Sequence, residues 1–331
     1  MDKNNRFLSQ FLALLITFCS VIYLTGCTQL SSEIQLLDGE FLVMNTISTL
    51  QFYGNKAGFH HGLDLQASAG TKFFAPVGGV VDTRYYYRIQ SPYTYEVSIQ
   101  MEDGYLWQFH HLDPASIPPE IEKLAQNGGT VEAGMLLGEI YDASSLGIFP
   151  HVHINLIDSE GYYHNPWQFL PPPDDNQAPT IRGVYVINES NQVVSEIDKS
   201  GKYTLVVDAI DMIPPSEIGQ SIYALEMFIC PSEEDNCVES TLVNSVKFDQ
   251  LPGQNDFISG AEEIYQIEPI VLPDGSQITN QIKPEQPRRF LFRFPLPEDI
   301  IIEENQLNLQ VIASDFVGNN ASESYIIITK P

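Results

Sequence analysis

The sequence predicts a mainly β, all-β class protein with two strand-rich regions in tandem. From Leu65 to Asp158, short runs of β-branched and aromatic residues alternate with turns such as Gly78-Gly79. The stretch from Leu170 to Asn176 is rich in proline and acidic residues and has no apolar periodicity, so it separates this region from the next. Only Pro118 to Gln126 is typical of a helix, because prolines open it and Asn127-Gly128-Gly129 ends it.

The N-terminus is typical of an export signal. Two basic residues precede an apolar, uncharged stretch from Phe7 to Tyr23, and small residues then lead into Cys27. This ending resembles the lipobox of bacterial lipoproteins, in which the cysteine is acylated and becomes the first mature residue. We therefore expect a signal peptide and lipobox at 1–27, lipidation of Cys27 and a lead-in segment at 28–53. A transmembrane anchor is the alternative, although the apolar stretch is barely long enough to span a bilayer.

The expected location is the cell envelope. Thr28 and Gln29, rather than an aspartate, follow Cys27, and by resemblance to Gram-negative lipoproteins this favours lipid anchoring at the periplasmic face of the outer membrane. A Gram-positive surface lipoprotein is the alternative. The formal net charge of −27 makes nucleic acid and anionic membrane surfaces poor electrostatic partners.

Two of the four cysteines lie in the mature part of the expected chain beyond the lipid site. Cys19 falls in the signal and Cys27 is the lipidation site, which leaves Cys230 and Cys237. Export favours a disulfide between these two, closing a small acidic loop. A metal site built on them is the weaker alternative, since no histidine lies near them.

All seven histidines lie between His60 and His164, which points to metal and proton-transfer chemistry in the first region. His151 and His153 alternate along one predicted strand and so face the same side. His60, Asp64 and His153 would supply the three protein ligands of a catalytic zinc, and Gly62 permits a tight backbone between the first two.

Other arrangements of the same histidines stay open at this point. His111 and His151 would serve as proton-transfer or oxyanion-stabilising groups beside the metal. If His60, His111, His151 and His153 all bound the ion, no position would remain for water and the site would be structural. Histidines satisfied by hydrogen bonds in a β core would give the same pattern without any metal.

Taken in order, the motifs of the first region resemble one family. They look like the lysostaphin/LytM-type zinc endopeptidases, metallopeptidase family 23, over roughly Gly54 to Leu170. The segments that carry the resemblance are His60-His61-Gly62-Leu63-Asp64, His111-Leu112, His151-Val152-His153, Phe74 to Val81, Val131 to Gly138 and Asn165-Pro166. The resemblance implies an antiparallel β-sheet metallopeptidase domain of the lysostaphin-like, duplicated-hybrid-motif type at 54–170, followed by a linker at 171–179.

The resemblance also implies an activity and a set of roles. Members of the family hydrolyse peptide bonds in the stem or cross-bridge of bacterial peptidoglycan. By transfer, one Zn²⁺ is held by His60, Asp64 and His153, while His111 and His151 assist the attacking water and the oxyanion. Three histidines receive no such role: His61 and His110, which should point outward or line the groove, and His164, which should be an ordinary surface residue.

Two features depart from the family pattern. The loop from Asp142 to Phe149 lacks the usual glycines and threonines, and Asn155 replaces the usual glutamate after the second histidine of the pair. Groups around the ligands orient and tune them, so efficiency and substrate preference are in doubt, but zinc binding is not.

The second region, residues 180–331, predicts a β-sandwich. Its closing stretch, with the turn Asp315 to Asn319, resembles the final hairpin of bacterial immunoglobulin-like domains. Because the region contains no histidine, we expect it to serve as a spacer or to position the enzyme, for example on an envelope protein partner. Three aspartates, Asp208, Asp211 and Asp315, could in principle bind calcium, but aspartates at strand ends are more often turn residues.

The leading functional hypothesis is a zinc metalloendopeptidase that acts on peptidoglycan peptides. The runner-up is a catalytically weak or inactive wall-binding protein that activates another hydrolase, although inactive relatives usually lack several ligands and this chain keeps them all. A third hypothesis is a secreted protease that acts on proteins or peptides.

Overall fold

The computed structural model describes residues 35–86, 91–198, 201–230, 241–284, 286–297 and 306–330. The expected signal, the lipobox with Cys27 and the second-region Cys237 lie outside these residues. In the part described, strands dominate and pair almost entirely antiparallel, which confirms the mainly β fold class. None of the helices in this part is long and apolar enough to cross a membrane.

The first half is built around one eight-stranded sheet in the order β1-β4-β11-β8-β7-β6-β9, with β12 paired to β11. A separate hairpin joins β2 to β3, and β5 pairs with β10. The strands are β1 Leu42–Asn45, β2 Leu50–Tyr53, β3 Lys56–Phe59, β4 Leu63–Gln66, β5 Lys72–Phe74, β6 Gly79–Tyr85, β7 Tyr95–Gln100, β8 Leu106–His110, β9 Thr130–Val131, β10 Leu136–Glu139, β11 His151–Ile157 and β12 Tyr163–His164.

Strand β11 lies near the middle of this sheet and is buried along its whole length. Its residues alternate between the two faces, so Val152, Ile154 and Leu156 enter the apolar core while the polar positions between them share the opposite face. In register, His153 lies opposite Asp64 on β4 and opposite His110 on β8. The sheet therefore gathers polar residues from three neighbouring strands on one face.

The predicted helix is present as α1, Pro119–Gln126, with proline at its first turn and Ile121 as its buried residue. A second, one-turn helix, α2 Ala261–Ile264, was not anticipated from the sequence. It is short and has no apolar periodicity of its own, so packing rather than pattern specifies it.

The second half is a sandwich of a three-stranded sheet, β13-β15-β20, and a five-stranded sheet, β14-β22-β21-β16-β17. The likeness of this half to an immunoglobulin-like domain stays a prediction. A small hairpin, β18-β19, lies outside both sheets. The strands are β13 Thr180–Asn188, β14 Glu196–Asp198, β15 Tyr203–Ile210, β16 Ala224–Cys230, β17 Thr241–Lys247, β18 Ile270–Val271, β19 Gln277–Ile278, β20 Leu291–Pro295, β21 Gln306–Ser314 and β22 Asn320–Lys330.

The two halves share a core at the segment that precedes the histidine motifs. Leu50 and Phe59, on the β2-β3 hairpin, are fully buried in the cluster that fills the sandwich. The Tyr265 hydroxyl donates to the Ser48 carbonyl at 2.9 Å, and the Arg288 guanidinium donates to the Met44 carbonyl at 3.0 Å. Part of the expected lead-in is thus an edge strand of the main sheet and part is packed against the second half, whereas 171–179 carries no helix or strand.

Candidate metal centre

Three ligand-type side chains converge on the polar face of β4 and β11. His60 Nε2 lies 3.1 Å from Asp64 Oδ1, His153 Nδ1 lies 2.7 Å from the same oxygen, and the two ring nitrogens are 3.0 Å apart. All three residues are buried. The backbone can approach this closely because position 62 is glycine: a Cβ there would overlap the Ile154 carbonyl oxygen.

Each ligand is oriented through the atom that does not face the centre. His60 donates from Nδ1 to the Thr46 carbonyl at 3.0 Å, which leaves the Nε2 lone pair free. Asp64 Oδ2 accepts from Asn45 Nδ2 at 2.6 Å, which leaves Oδ1 directed at the two imidazoles. Asn45 and Thr46 belong to the expected lead-in, and sequence reasoning assigned them no role.

His111 and His151 face the same centre with their Nε2 atoms. Each donates from Nδ1 at 2.7 Å, to the Tyr93 carbonyl and to the Phe149 carbonyl respectively. Their ring centroids are 4.8 Å apart, and His151 Nε2 lies 3.8 Å from Asp64 Oδ1. His111 has a positive φ of 68° and stacks flat on Tyr93, with 3.9 Å between ring centroids. The structure thus brings together all five side chains to which the sequence assigned roles.

Electrostatics favour neutral rings at His111 and His153 and an ionised Asp64. Burial alone would raise the pKa of Asp64, but the close approach of His60, His151 and His153 outweighs burial and holds that pKa well below its usual range. Burial lowers the pKa of His153, and burial together with His151 and His153 lowers the pKa of His111 to about 3. Neutral imidazole and ionised carboxylate are the forms that bind a metal, so the donor set fits zinc.

The remaining histidines lie at different distances from the centre. His61 lines the same pocket and stacks on Phe257 of the second half at 4.7 Å between centroids. His110 is buried beside Asn155 and also lines the pocket. His164 is not the ordinary surface residue expected, because its largely buried ring pairs with Asp158 at 2.8 Å.

The pocket around the centre holds a cavity of about 200 Å³. Its walls add residues that the sequence did not single out, namely Gln51, Tyr53, Tyr86 and Tyr93. Aromatic rings and open access suit an extended ligand such as a peptide better than a small enclosed molecule.

The aspartates considered for calcium separate into two environments. Asp208 is buried and paired with two arginines, with Arg182 Nη2 at 2.7 Å and Arg289 Nε at 2.9 Å. Asp211 and Asp315 instead lie together with Asp175, their ligand oxygens within 4.8 Å of one another.

The structure describes one cysteine of the second half. Cys230 is disulfide-bonded. Its expected partner, Cys237, lies outside the described residues, so this pairing stays a prediction.

Solved structures of known proteins share similarity with this chain, although a search of curated proteins gave no match. The chain is similar to a mutant catalytic domain of the prophage-encoded M23 protein EnpA from Enterococcus faecalis, with 23% identity over 39% of this chain and 90% of that one and a TM-score of 0.28. It is also similar to Csd3 of Helicobacter pylori, with 17% identity over 43% of this chain and 36% of that one and a TM-score of 0.30. A zinc-containing peptidase from Vibrio cholerae shows 16% identity over 40% of this chain and 36% of that one, with a TM-score of 0.26.

A family model covers the segment that carries the histidine cluster. The model described as peptidase family M23 matches residues 58–166, a range that includes His60, Asp64 and His153 together with His111 and His151. The match agrees with the family that the spacing of these motifs resembles. Residues 58–166 are a peptidase family M23 domain.

Proposed function

We propose that this protein is a zinc-dependent endopeptidase that hydrolyses peptide bonds in the stem or cross-bridge peptides of bacterial peptidoglycan. The observation that carries the proposal is the convergence of His60 Nε2, Asp64 Oδ1 and His153 Nδ1, each directed inward by a hydrogen bond on its opposite atom. The membership of residues 58–166 in peptidase family M23 supports peptide hydrolysis as the reaction.

His60, Asp64 and His153 would hold one Zn²⁺. When bound there, zinc supplies a Lewis acid that polarises an amide carbonyl and lowers the pKa of water. His111 and His151 remain outside this ligand set with Nε2 facing the pocket. Burial and its histidine neighbours lower the pKa of His111 to about 3, so its ring is neutral at physiological pH and the Nε2 lone pair is available to the attacking water. A protonated Nε2 on either histidine can then donate to the developing oxyanion or to the leaving amine.

The decisive experiment measures bound zinc and wall cleavage in the same preparations of the full chain. We expect one zinc per chain and release of peptide fragments from purified peptidoglycan, and both should be lost in His153→Ala. His164→Ala is the matched control, because this histidine lies in the same domain but pairs with Asp158 rather than with the centre.

Three outcomes would redirect the proposal. Stoichiometric zinc without cleavage of wall or peptides would overturn the enzyme and favour an activator of another hydrolase. Cleavage of an unfolded protein but not of peptidoglycan would favour a secreted protease. Retention of full activity in His153→Ala would remove this centre from the mechanism.

We also propose that the protein is exported and lipid-anchored through Cys27, at the periplasmic face of the outer membrane. The N-terminal sequence supports this location, and the disulfide at Cys230 is consistent with it. Metabolic labelling with a fatty acid should mark the wild type and Cys19→Ala but not Cys27→Ala. Equal labelling of all three would contradict the anchor.

In this proposal the second half does more than hold the peptidase domain away from the membrane. Its loop at 251–257 lies against the peptidase domain: Leu251 N donates to the Tyr163 carbonyl at 2.8 Å and Phe59 N donates to the Phe257 carbonyl at 2.6 Å. The loop therefore supports one wall of the pocket, and the sandwich leaves other faces for an envelope partner.

A further inference from the structure

The side chain behind His153 is an amide, and an amide can support this ligand in only one of its two orientations. Asn155 is buried, two residues after His153 on β11, and its Oδ1 lies 2.7 Å from His153 Nε2, where it can accept the ring hydrogen. A carboxylate accepts through either oxygen, whereas a flipped amide would present NH₂ to the ring. In that case Nε2 would have to accept, the ring hydrogen would lie on Nδ1, and Nδ1 would have no lone pair to offer a metal.

Gln108, on β8, fixes the orientation of the Asn155 amide. Asn155 Nδ2 donates to Gln108 Oε1 at 3.2 Å and lies 3.1 Å from His110 Nε2. A flipped Asn155 would set its oxygen against the Gln108 oxygen. The donor and acceptor ends of Asn155 are therefore assigned by its neighbours and not by His153 alone.

Gln108 is itself an amide, and Glu96 on β7 determines which of its ends faces Asn155. Gln108 Nε2 donates to Glu96 Oε1 at 3.3 Å, and an ionised carboxylate accepts hydrogen bonds but cannot donate them. Arg84 on β6 holds that same oxygen, with Nη2 at 2.9 Å and Nε at 3.1 Å. Arg84 is exposed and Glu96 is buried, so the hydrogen bonds run from the surface of the sheet to the metal centre.

The four strands are neighbours in the sheet, which makes this arrangement continuous. Glu96 lies opposite Arg84 in the pairing of β6 with β7, and Asn155 lies opposite Gln108 in the pairing of β8 with β11. Each donor and acceptor is assigned once the Glu96 carboxylate is placed. We propose that Glu96, Gln108 and Asn155 form a directional hydrogen-bond chain that fixes the His153 tautomer and so presents Nδ1 to the metal.

This inference rests on the proposed zinc function, but the tautomer of His153 can be measured without zinc. Glu96, Gln108 and Asn155 are positioning residues, since none of them faces the substrate pocket. The chain of hydrogen bonds has one specific consequence. Gln108 is needed for zinc binding only because the side chain at position 155 is an amide, whose orientation must be fixed. With a carboxylate at 155, which accepts in both orientations, Gln108 should become dispensable.

The test is a double-mutant cycle in the full chain with Gln108→Leu and Asn155→Asp. Zinc affinity is measured by competition with a chelator. The His153 tautomer is measured by ¹⁵N NMR of histidine-labelled, metal-free protein through the hydrogen on Nε2, because Nδ1 lies 2.7 Å from Asp64 Oδ1 and can carry a hydrogen when no metal is bound. We expect Gln108→Leu to weaken zinc binding about tenfold and to shift the ring proton toward Nδ1. In the Asn155→Asp background, the same change should alter zinc affinity by less than about twofold.

Controls separate orientation from folding. Ser98→Ala removes another buried polar group from β7 and should leave both readouts unchanged. If Gln108→Leu does not fold, Glu96→Gln replaces it, because a neutral amide at 96 no longer assigns the Gln108 ends and should shift the tautomer in the same direction. Equal loss of affinity in both backgrounds, or an unchanged His153 tautomer, would overturn the chain of hydrogen bonds. A wild type that binds no zinc would instead overturn the proposed function, while the tautomer readout would still decide this inference.

Discussion

Two clusters of ligand-type side chains each contain an aspartate. The two aspartates are buried to the same degree, but their pKa values are shifted in opposite directions. Asp64 is 4% exposed beside His60 and His153, and Asp211 is 3% exposed beside Asp175 and Asp315. The pKa of Asp64 lies well below its usual range, whereas the pKa of Asp211 is raised to about 7. Equal burial therefore does not determine the charge of a carboxylate.

The neighbours account for the difference. Burial raises the pKa of both groups, but the histidines around Asp64 reverse its effect, while Asp175 and Asp315 add repulsion at Asp211. The oxygens of the acidic cluster also have other partners. Asp315 Oδ1 accepts from the Gly318 and Asn319 amides, and Asp211 Oδ1 accepts from the Met212 amide.

These neighbours also distinguish the proposed metal centre from a group of turn aspartates in this fold. The histidine cluster keeps one anion and several neutral lone pairs directed at one point. The acidic cluster uses its oxygens to hold turns and keeps a proton near neutrality. Both clusters come from short polar motifs, so the distinction lies in what surrounds them.

The largest expected effect comes from removing the charge of the first cluster. Asp64→Asn preserves shape and the contact with Asn45 but deletes the anionic ligand, so we expect zinc affinity and peptide cleavage to fall at least about 100-fold. Asp158→Asn weakens a pairing with His164 away from the centre and leaves Oδ1 to accept from the Glu160 and Tyr162 amides, so it should change neither. Zinc titration and fragment release measure the two effects, and a fully active Asp64→Asn would show that the centre works without its anion.

The second cluster should respond to charge removal in the opposite way. Because the native pKa of Asp211 is raised to about 7, the folded chain keeps a proton that the unfolded chain releases near pH 4. The free energy of unfolding therefore falls as the pH rises between about 4 and 7. A shift of this size corresponds to at most about 4 kcal/mol, and we expect Asp211→Asn to stabilise the protein by about 2 kcal/mol at pH 8 and hardly at all at pH 4.

Asp208→Asn is the matched control for this prediction, because Asp208 is equally buried but paired with Arg182 and Arg289. Loss of its charge leaves two arginines without their partner and should destabilise the protein by about 2 kcal/mol at pH 8. Urea unfolding at the two pH values measures both variants. A destabilised Asp211→Asn at pH 8 would show that the acidic cluster needs its charge.

Local sequence predicted which side chains gather at the centre but not the residues that support them. The spacing of His151 and His153 alone places both rings on one strand face, whatever the rest of the chain does. Asn45 and Phe257 act from distant positions, since they reach the centre only after β1 joins the sheet and the second half folds against it. No period or spacing marks such residues, because their partners are set by tertiary packing.

Two histidines of the pocket stack on a neighbouring ring, and the first of them is His111. It lies flat on Tyr93, which also accepts its Nδ1 hydrogen through the backbone. Tyr93→Ala keeps that carbonyl but removes the stacking, so we expect kcat to fall about tenfold while zinc affinity stays within about twofold. Steady-state kinetics with zinc titration distinguish these effects, and parallel loss of zinc would show that Tyr93 supports the ligands instead.

The smallest effect should come from the second half of the molecule. Phe257 stacks on His61 and contacts Tyr53, both of which line the pocket, while its carbonyl holds Phe59. Phe257→Ala retains the backbone contact and removes about 1 kcal/mol of ring contact, so KM should rise about fivefold with kcat nearly unchanged. Val317→Ala, which shortens an exposed apolar side chain elsewhere on the second half, is the control and should not alter KM. An unchanged KM in Phe257→Ala would confine substrate binding to the first half, whereas the expected rise would make the sandwich part of the substrate site.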